Sequence, residues 1–122
     1  MAERIRNHDW SRTPLGPIPE WPEALTVLVN NLLGTRLPII LMWGDDLTHI
    51  YNDAVIPVLG QAKHPAALGE KGETVWREAW PISGPQIESA LRGEACWKED
   101  QHVPIYRDGQ LQDTWFTYSY SP

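Results

Sequence analysis

The stretch TWFTYSYSP, Thr114 to Pro122, decides how this chain is read. With the two-residue period of a strand, Trp115 lies on one face while Phe116, Tyr118 and Tyr120 lie on the other. Both faces carry large aromatic surface, so something must cover both sides.

Working outward, Arg107-Asp108-Gly109-Gln110 supplies a hairpin turn, and Cys96 to Tyr106 alternates loosely as the strand before it. Pro104 within that strand is tolerated best at a sheet edge, because proline has no N–H for a ladder. Further back, SGPQIESALRGE reads as a helix with Pro85 near its start, Ile87, Ala90 and Leu91 inward, and Gly93 as its stop. ETVWREAW reads as a shorter helix closed by Pro81, with Trp76 and Trp80 four apart on one face. Gly60 to Gly72 is broken by Gly and Pro into loops and short helical pieces.

The first half carries its own hairpin. LPIILMWG places Ile39, Leu41 and Trp43 on one side and Ile40 and Met42 on the other, a pattern that demands a sheet covered on both faces. Gly44, Asp45 and Asp46 turn the chain into LTHIYN, the paired strand, and Asn52 or Asp53 is placed to cap a short helix through AVIPVL, limited by Pro57. Residues 22–34 form an amphipathic helix: Pro22 suits the first turn, Leu25, Leu28, Val29, Leu32 and Leu33 make one stripe, and Gly34 ends it. Residues 1–21 are a Pro/Trp-rich leader; the four prolines of HDWSRTPLGPIPEWP forbid a regular helix there, and it is ordered only if Trp10, Leu15, Ile18 and Trp21 dock. Leader, helix, two strands, short helices, a longer helix and two strands make an α+β order with an antiparallel sheet.

A chain of 122 residues with 42% hydrophobic content suits one domain with a real core. Ten Lys and Arg against sixteen Asp and Glu give a net charge of −6, with no basic run, which argues against nucleic acid as a partner. The apolar stretches at 25–33 and 37–43 are too short to span a bilayer, so no membrane partner is expected. MAERIRNHDW lacks the apolar core of a secretory signal and Cys96 is alone, so a cytoplasmic location is expected. Seven Trp spread over the chain fit anchors of a core better than one exposed recognition strip.

The order and the words together resemble a PAS sensor domain. DWSRTPLGPIPEWPEAL, WGDDLTHIYNDAVIPVLG, HPAALG, VWREAW and WFTYSYSP, spread from Asp9 to Pro122, are similar to a PAS subfamily found at the front of bacterial sensor histidine kinases and related signalling proteins. The resemblance implies a five-stranded antiparallel sheet with short helices enclosing a sensory cavity on one face. It further implies an amphipathic flanking helix or a partner subunit over the other, so that both faces of TWFTYSYSP are covered. The departure is at the end: residues 35–122 supply four strands, and the fifth, central one, between the first strand and TWFTYSYSP, is not readable. Either the chain is a fragment of a longer signalling protein, or closure of the sheet or another chain replaces that strand. Unpaired edges favour association, so a homodimer is expected, with Leu25, Leu28, Val29 and Leu32 at its interface. The implied function is two-component signal transduction, with a kinase or other output domain as partner and no catalysis in these residues.

Aromatic and apolar side chains are the candidate ligand contacts: Trp43, Tyr51, Trp76, Trp80, Ile87, Leu91, Trp115 and Tyr118. They either line a pocket for a small planar or apolar ligand, oriented by a tyrosine hydroxyl, or simply fill the core. Asn52 is read as a helix cap before a ligand contact. Asp45 with Asp46, and Glu99 with Asp100, are read as turn and strand residues before catalytic pairs, since adjacent strand residues point to opposite faces. His8, His49, His64 and His102 show no metal-ligand spacing. No cofactor is specified: the resemblance disfavours haem because the longer helix has no His, and covalent flavin photochemistry because Cys96 sits in ACWKED and not in the Asn-Cys-Arg-Phe type motif it implies for flavin-binding light sensors. Ser83-Gly84 lacks the pattern of a nucleophile elbow. A ligand-free dimerisation module is the alternative, and a small enzyme of the ketosteroid-isomerase kind would need a buried carboxylate from Glu78, Glu88 or Asp100.

Overall fold

In the computed structural model, which describes residues 1–122, the stripe around Leu25 forms helix α2 (Glu23–Leu33), with Pro22 at its N-cap and Gly34 at its C-cap. Gly34 ends the helix in a right-handed conformation at φ −84°, its N–H reaching the carbonyls of Asn30 and Asn31. Ahead of it lie α1 (Ala2–Asn7) and two single 3-10 turns, Trp10–Arg12 and Ile18–Glu20. The prolines hold the part of the leader after α1 to short turns, and the buried Ile5, Trp10 and Trp21 order the whole of it.

Strands β1 (Ile40–Trp43) and β2 (Thr48–Tyr51) form an antiparallel hairpin in the register Ile40 to Tyr51 through Trp43 to Thr48. α2 packs on this hairpin with Leu25, Val29 and Leu32 buried. A 3-10 turn, Asp53–Val55, leads to α3 (Ile56–Leu59), and after a run of turns α4 (Gly72–Val75) follows. The strand covered on both faces is β2, not β1: every residue of β2 is buried, whereas β1 is half-buried throughout. The apolar run LPIILMWG misdirected that expectation, because centrality comes from what lies alongside. On its second side β2 is flanked by residues 69–72, with His49 N–H to Glu70 O at 2.9 Å and Gly69 N–H to His49 O at 2.8 Å. Thr48 bridges Lys71 there. Backbone pairing on both sides lets Thr48 and His49 be buried.

The chain divides by its contacts into two compact units, Met1–Val75 and Trp76–Pro122. The second unit holds α5 (Trp80–Leu91) and strands β3 (Cys96–Arg107) and β4 (Gln110–Tyr120). Pro81 does not close a helix through ETVWREAW. It occupies the first turn of α5, where its missing N–H costs nothing, and the helix continues through Pro85. Trp76 and Trp80 therefore do not share one helix face: residues 76–79 are turns.

β3 and β4 pair from Cys96 opposite Tyr120 to Arg107 opposite Gln110. Asp108 (φ 55°) and Gly109 (φ 78°) both take left-handed conformations at the turn, the geometry that matches strand twist in a two-residue hairpin. A bulge interrupts the ladder between Lys98 and Gln101, with Asp100 at φ 46°. The fold class is α+β, with two separate antiparallel sheets of two strands each. The expected single sheet is absent because the only strand each strand pairs with is its hairpin neighbour, and no strand joins the two.

The two edges of the second hairpin differ. Backbone donors alternate in direction along a strand, and the Tyr106 N–H points away from β4, bonded to Glu78 Oε1 at 2.8 Å. Pro104, two residues earlier, has no donor to offer, and the bulge twists the strand below it. The outer edge of β3 is thus closed. On β4, opposite Tyr106, the same alternation turns the amides of Leu111, Asp113, Trp115 and Thr117 outward, with no strand to meet them.

Candidate functional site

In the first unit the leader builds one wall of a groove. The Trp10 indole N–H donates to Ile5 O at 2.7 Å and its ring meets Trp21 edge-on at 5.2 Å. The Trp21 indole N–H donates to Gly16 O at 2.8 Å, and Gly16 at φ 68° permits the turn there. Thr13 ties the same loop, its hydroxyl donating to Trp10 O at 2.7 Å. The wall is rigid because two buried indoles fix both of its ends.

Across from it, Trp43 ends β1 and the turn residues Gly44, Asp45 and Asp46 follow. Pro14, Leu15, Pro22, Leu25, Trp43 and these turn residues border a groove of about 500 Å³ that lies open to solvent. A second groove of about 420 Å³ lies along Leu33 to Arg36 and Asn52 to Ala54. Asn52 makes no side-chain cap: its amide donates to the carbonyls of Leu32, Thr35 and Leu37 at 2.8 to 3.0 Å and accepts from the Ile39 N–H at 3.2 Å. It fastens the α2–β1 connection instead, its buried amide meeting three carbonyls of that connection.

Tyr51 lies wholly inside, its hydroxyl 2.7 Å from His64 Nδ1. Burial raises the Tyr51 hydroxyl to about 12, so it keeps its proton. Burial, with Arg4 and the chain amino group nearby, lowers His64, so the imidazole is neutral. In one tautomer, with the His64 proton on Nε2, Tyr51 donates to Nδ1; in the other the Nδ1–H donates to the Tyr51 oxygen. The His49 ring is 5.2 Å from Tyr51, and its burial lowers its pKa to about 4.

In the second unit the face of β4 carrying Phe116, Tyr118 and Tyr120 is half-buried, and α5 contacts both strands. The Tyr118 hydroxyl donates to Gln86 Oε1 at 2.6 Å, and burial raises the pKa of the Tyr120 hydroxyl, with the buried Ser83 beside it. Ile87 and Trp76 are buried; Trp80 lies over Gly84, where a Cβ would come within 2.9 Å of the indole nitrogen. Leu91 and Trp115 do not join these residues. Leu91 is 64% exposed as the last residue of α5, and Trp115 is 62% exposed on the opposite strand face, with His102, Tyr106 and Leu111.

Of the eight candidate ligand contacts, Trp43 and Tyr51 thus belong to the first unit and the other six to the second. Trp43 borders the larger groove; Tyr51 is core. The sequence reading missed the leader's contribution to that groove, although the Pro/Trp spacing signalled it, and missed His64 and Gln86 as tyrosine partners, for which no sequence signal exists. Leu25, Val29 and Leu32 are buried by the chain itself, leaving Leu28 as the exposed member of the expected dimer stripe. None of the three carboxylates considered for an enzyme is buried: Glu88 and Asp100 are exposed and half-buried Glu78 caps the edge of β3. No cluster of His, Cys, Asp and Glu is placed to hold a metal, and no helix is long and apolar enough to cross a membrane. Comparison of the chain with protein-family models, with curated proteins and with solved structures finds no match.

Proposed function

We propose that this chain is a PAS-type sensory module, cytoplasmic and without catalysis of its own, that binds a small ligand or relays a signal to an output domain such as a histidine kinase. The observation that carries the reading is which strand edges are open. β2 is flanked on its outer side by residues 69–72 and β3 is closed by Pro104 and Glu78, whereas β1 and β4 each have a strand on one side only. The resemblance places the fifth strand of a PAS sheet against those same two strands. A signal would act as a shift between two arrangements, by the difference in a ligand's affinity for each.

The test is a native mass spectrum of the purified chain beside its denatured mass and its ultraviolet-visible spectrum. A reproducible excess mass lost on denaturation is expected, and its weight and colour identify the ligand class. An apo spectrum in every preparation would remove ligand sensing from the proposal.

One observation favours the alternative, a ligand-free interaction module. Trp97, Tyr106, Leu111 and Trp115 are each more than half exposed, and all belong to the second hairpin. Sedimentation over a hundredfold range of concentration separates the readings. A dimer that Trp115→Ser dissociates supports the interaction module; a monomer throughout removes it.

A further inference from the structure

We infer that the groove between the leader and the first hairpin turn binds a small organic cation, a primary ammonium on an apolar body. The inference stands on the first unit alone and is independent of the sensory reading. Three features of the groove carry it. Its volume of about 500 Å³ falls in the range of small-molecule sites and leaves room for a one-ring ligand. Its walls are apolar: Pro14, Leu15 and Pro22 from the leader, the buried Leu25 of α2, and the half-buried indole of Trp43. Its rim has one sign of charge, since Asp45 and Asp46 are both exposed there and neither is in an ion pair.

These features select one chemistry. An apolar wall alone would accept any hydrophobe, and two carboxylates alone would hold only hydrated counter-ions. Together they favour a ligand whose body lies on the proline and leucine wall while its ammonium meets the carboxylates and the Trp43 face. A ring face attracts cations and repels anions, so Trp43 and the two aspartates discriminate in the same direction. The wall is held before binding by the Trp21 to Gly16 and Thr13 to Trp10 hydrogen bonds, so little ordering remains for the ligand to impose.

The experiment titrates the full chain with 2-phenylethylammonium and with its neutral analogue 2-phenylethanol, following the indole N–H resonances of ¹⁵N-labelled protein. The Trp43 resonance is identified by its loss in Trp43→Phe. The ammonium is expected to shift it saturably, and 2-phenylethanol at least about fivefold more weakly. The double variant Asp45→Asn/Asp46→Asn, altered only at an exposed turn, should weaken the ammonium on the order of threefold to tenfold while leaving the alcohol unchanged. Equal binding of the two compounds, an unchanged affinity in the double variant, or a shift confined to other indoles each overturns the inference.

Discussion

The Tyr51 hydroxyl and His64 Nδ1 share a hydrogen bond across 2.7 Å, joining the most buried strand to the loop before α4. Burial favours the neutral His64 imidazole, and it does the same for the neighbouring His49, buried beside Tyr51 with a pKa of about 4. Both native pKa values lie below the usual 6.5, so the unfolded chain binds more protons as the pH falls. Stability from this source is complete above pH 6.5 and is lost on acidification toward the native value. For His49 the loss approaches about 3 kcal/mol near pH 4. Urea unfolding at steps from pH 7.5 to 4.5 should show the midpoint falling. His49→Gln, whatever its stability at pH 7.5, should show a shallower fall; an equal slope would assign the effect to other groups.

Asn52→Ala removes the donor shared by the carbonyls of Leu32, Thr35 and Leu37 and the acceptor for the Ile39 N–H, all near a residue that is 2% exposed. Buried groups left without partners cost more than the bond itself contributes, so a loss of about 2–4 kcal/mol is expected. Asn52→Asp has the same shape but no donor, and should be at least as damaging at pH 7. A loss under about 1 kcal/mol for both by chemical denaturation would show that water replaces the side chain.

Gly69 and Gly93 both hold left-handed conformations, at φ 80° and 94°. An alanine at Gly93 meets nothing within 4 Å, while one at Gly69 places its Cβ 2.5 Å from His8 Nε2. Gly93→Ala should cost about 1 kcal/mol of backbone strain, and Gly69→Ala that amount plus the displacement of His8 from the leader. The His8 ring resonances should move in Gly69→Ala and stay fixed in Gly93→Ala. Equal costs and an unmoved His8 would mean that the leader does not rest on Gly69.

The open edge of β4 has a direct readout in amide exchange. Leu111, Asp113, Trp115 and Thr117 point their N–H groups away from β3, while Gln112, Thr114 and Phe116 point theirs toward it. The outward set should exchange on the order of tenfold faster than the inward set. Uniform protection along β4 would reveal a second strand partner in solution and count against an open edge.

The sequence by itself determined the local elements. The spacing of Leu25, Val29 and Leu32 made α2, Arg107-Asp108-Gly109-Gln110 made a hairpin turn because two consecutive residues accept left-handed conformations, and Pro104 marked an edge strand because it cannot donate. Periodicity and turn chemistry act over a few residues, so they are written in a few residues. What covers each face was decided only in three dimensions. β2 became the buried strand through residues 69–72, about twenty positions later, and Tyr51 met His64 in the turns before them. Pro81 opened a helix rather than closing one, since proline at a boundary fits either side and packing chooses. The groove beside Trp43 needed leader, helix and turn together. Its walls come from separate stretches of chain, and no window of sequence short enough to show a period contains them.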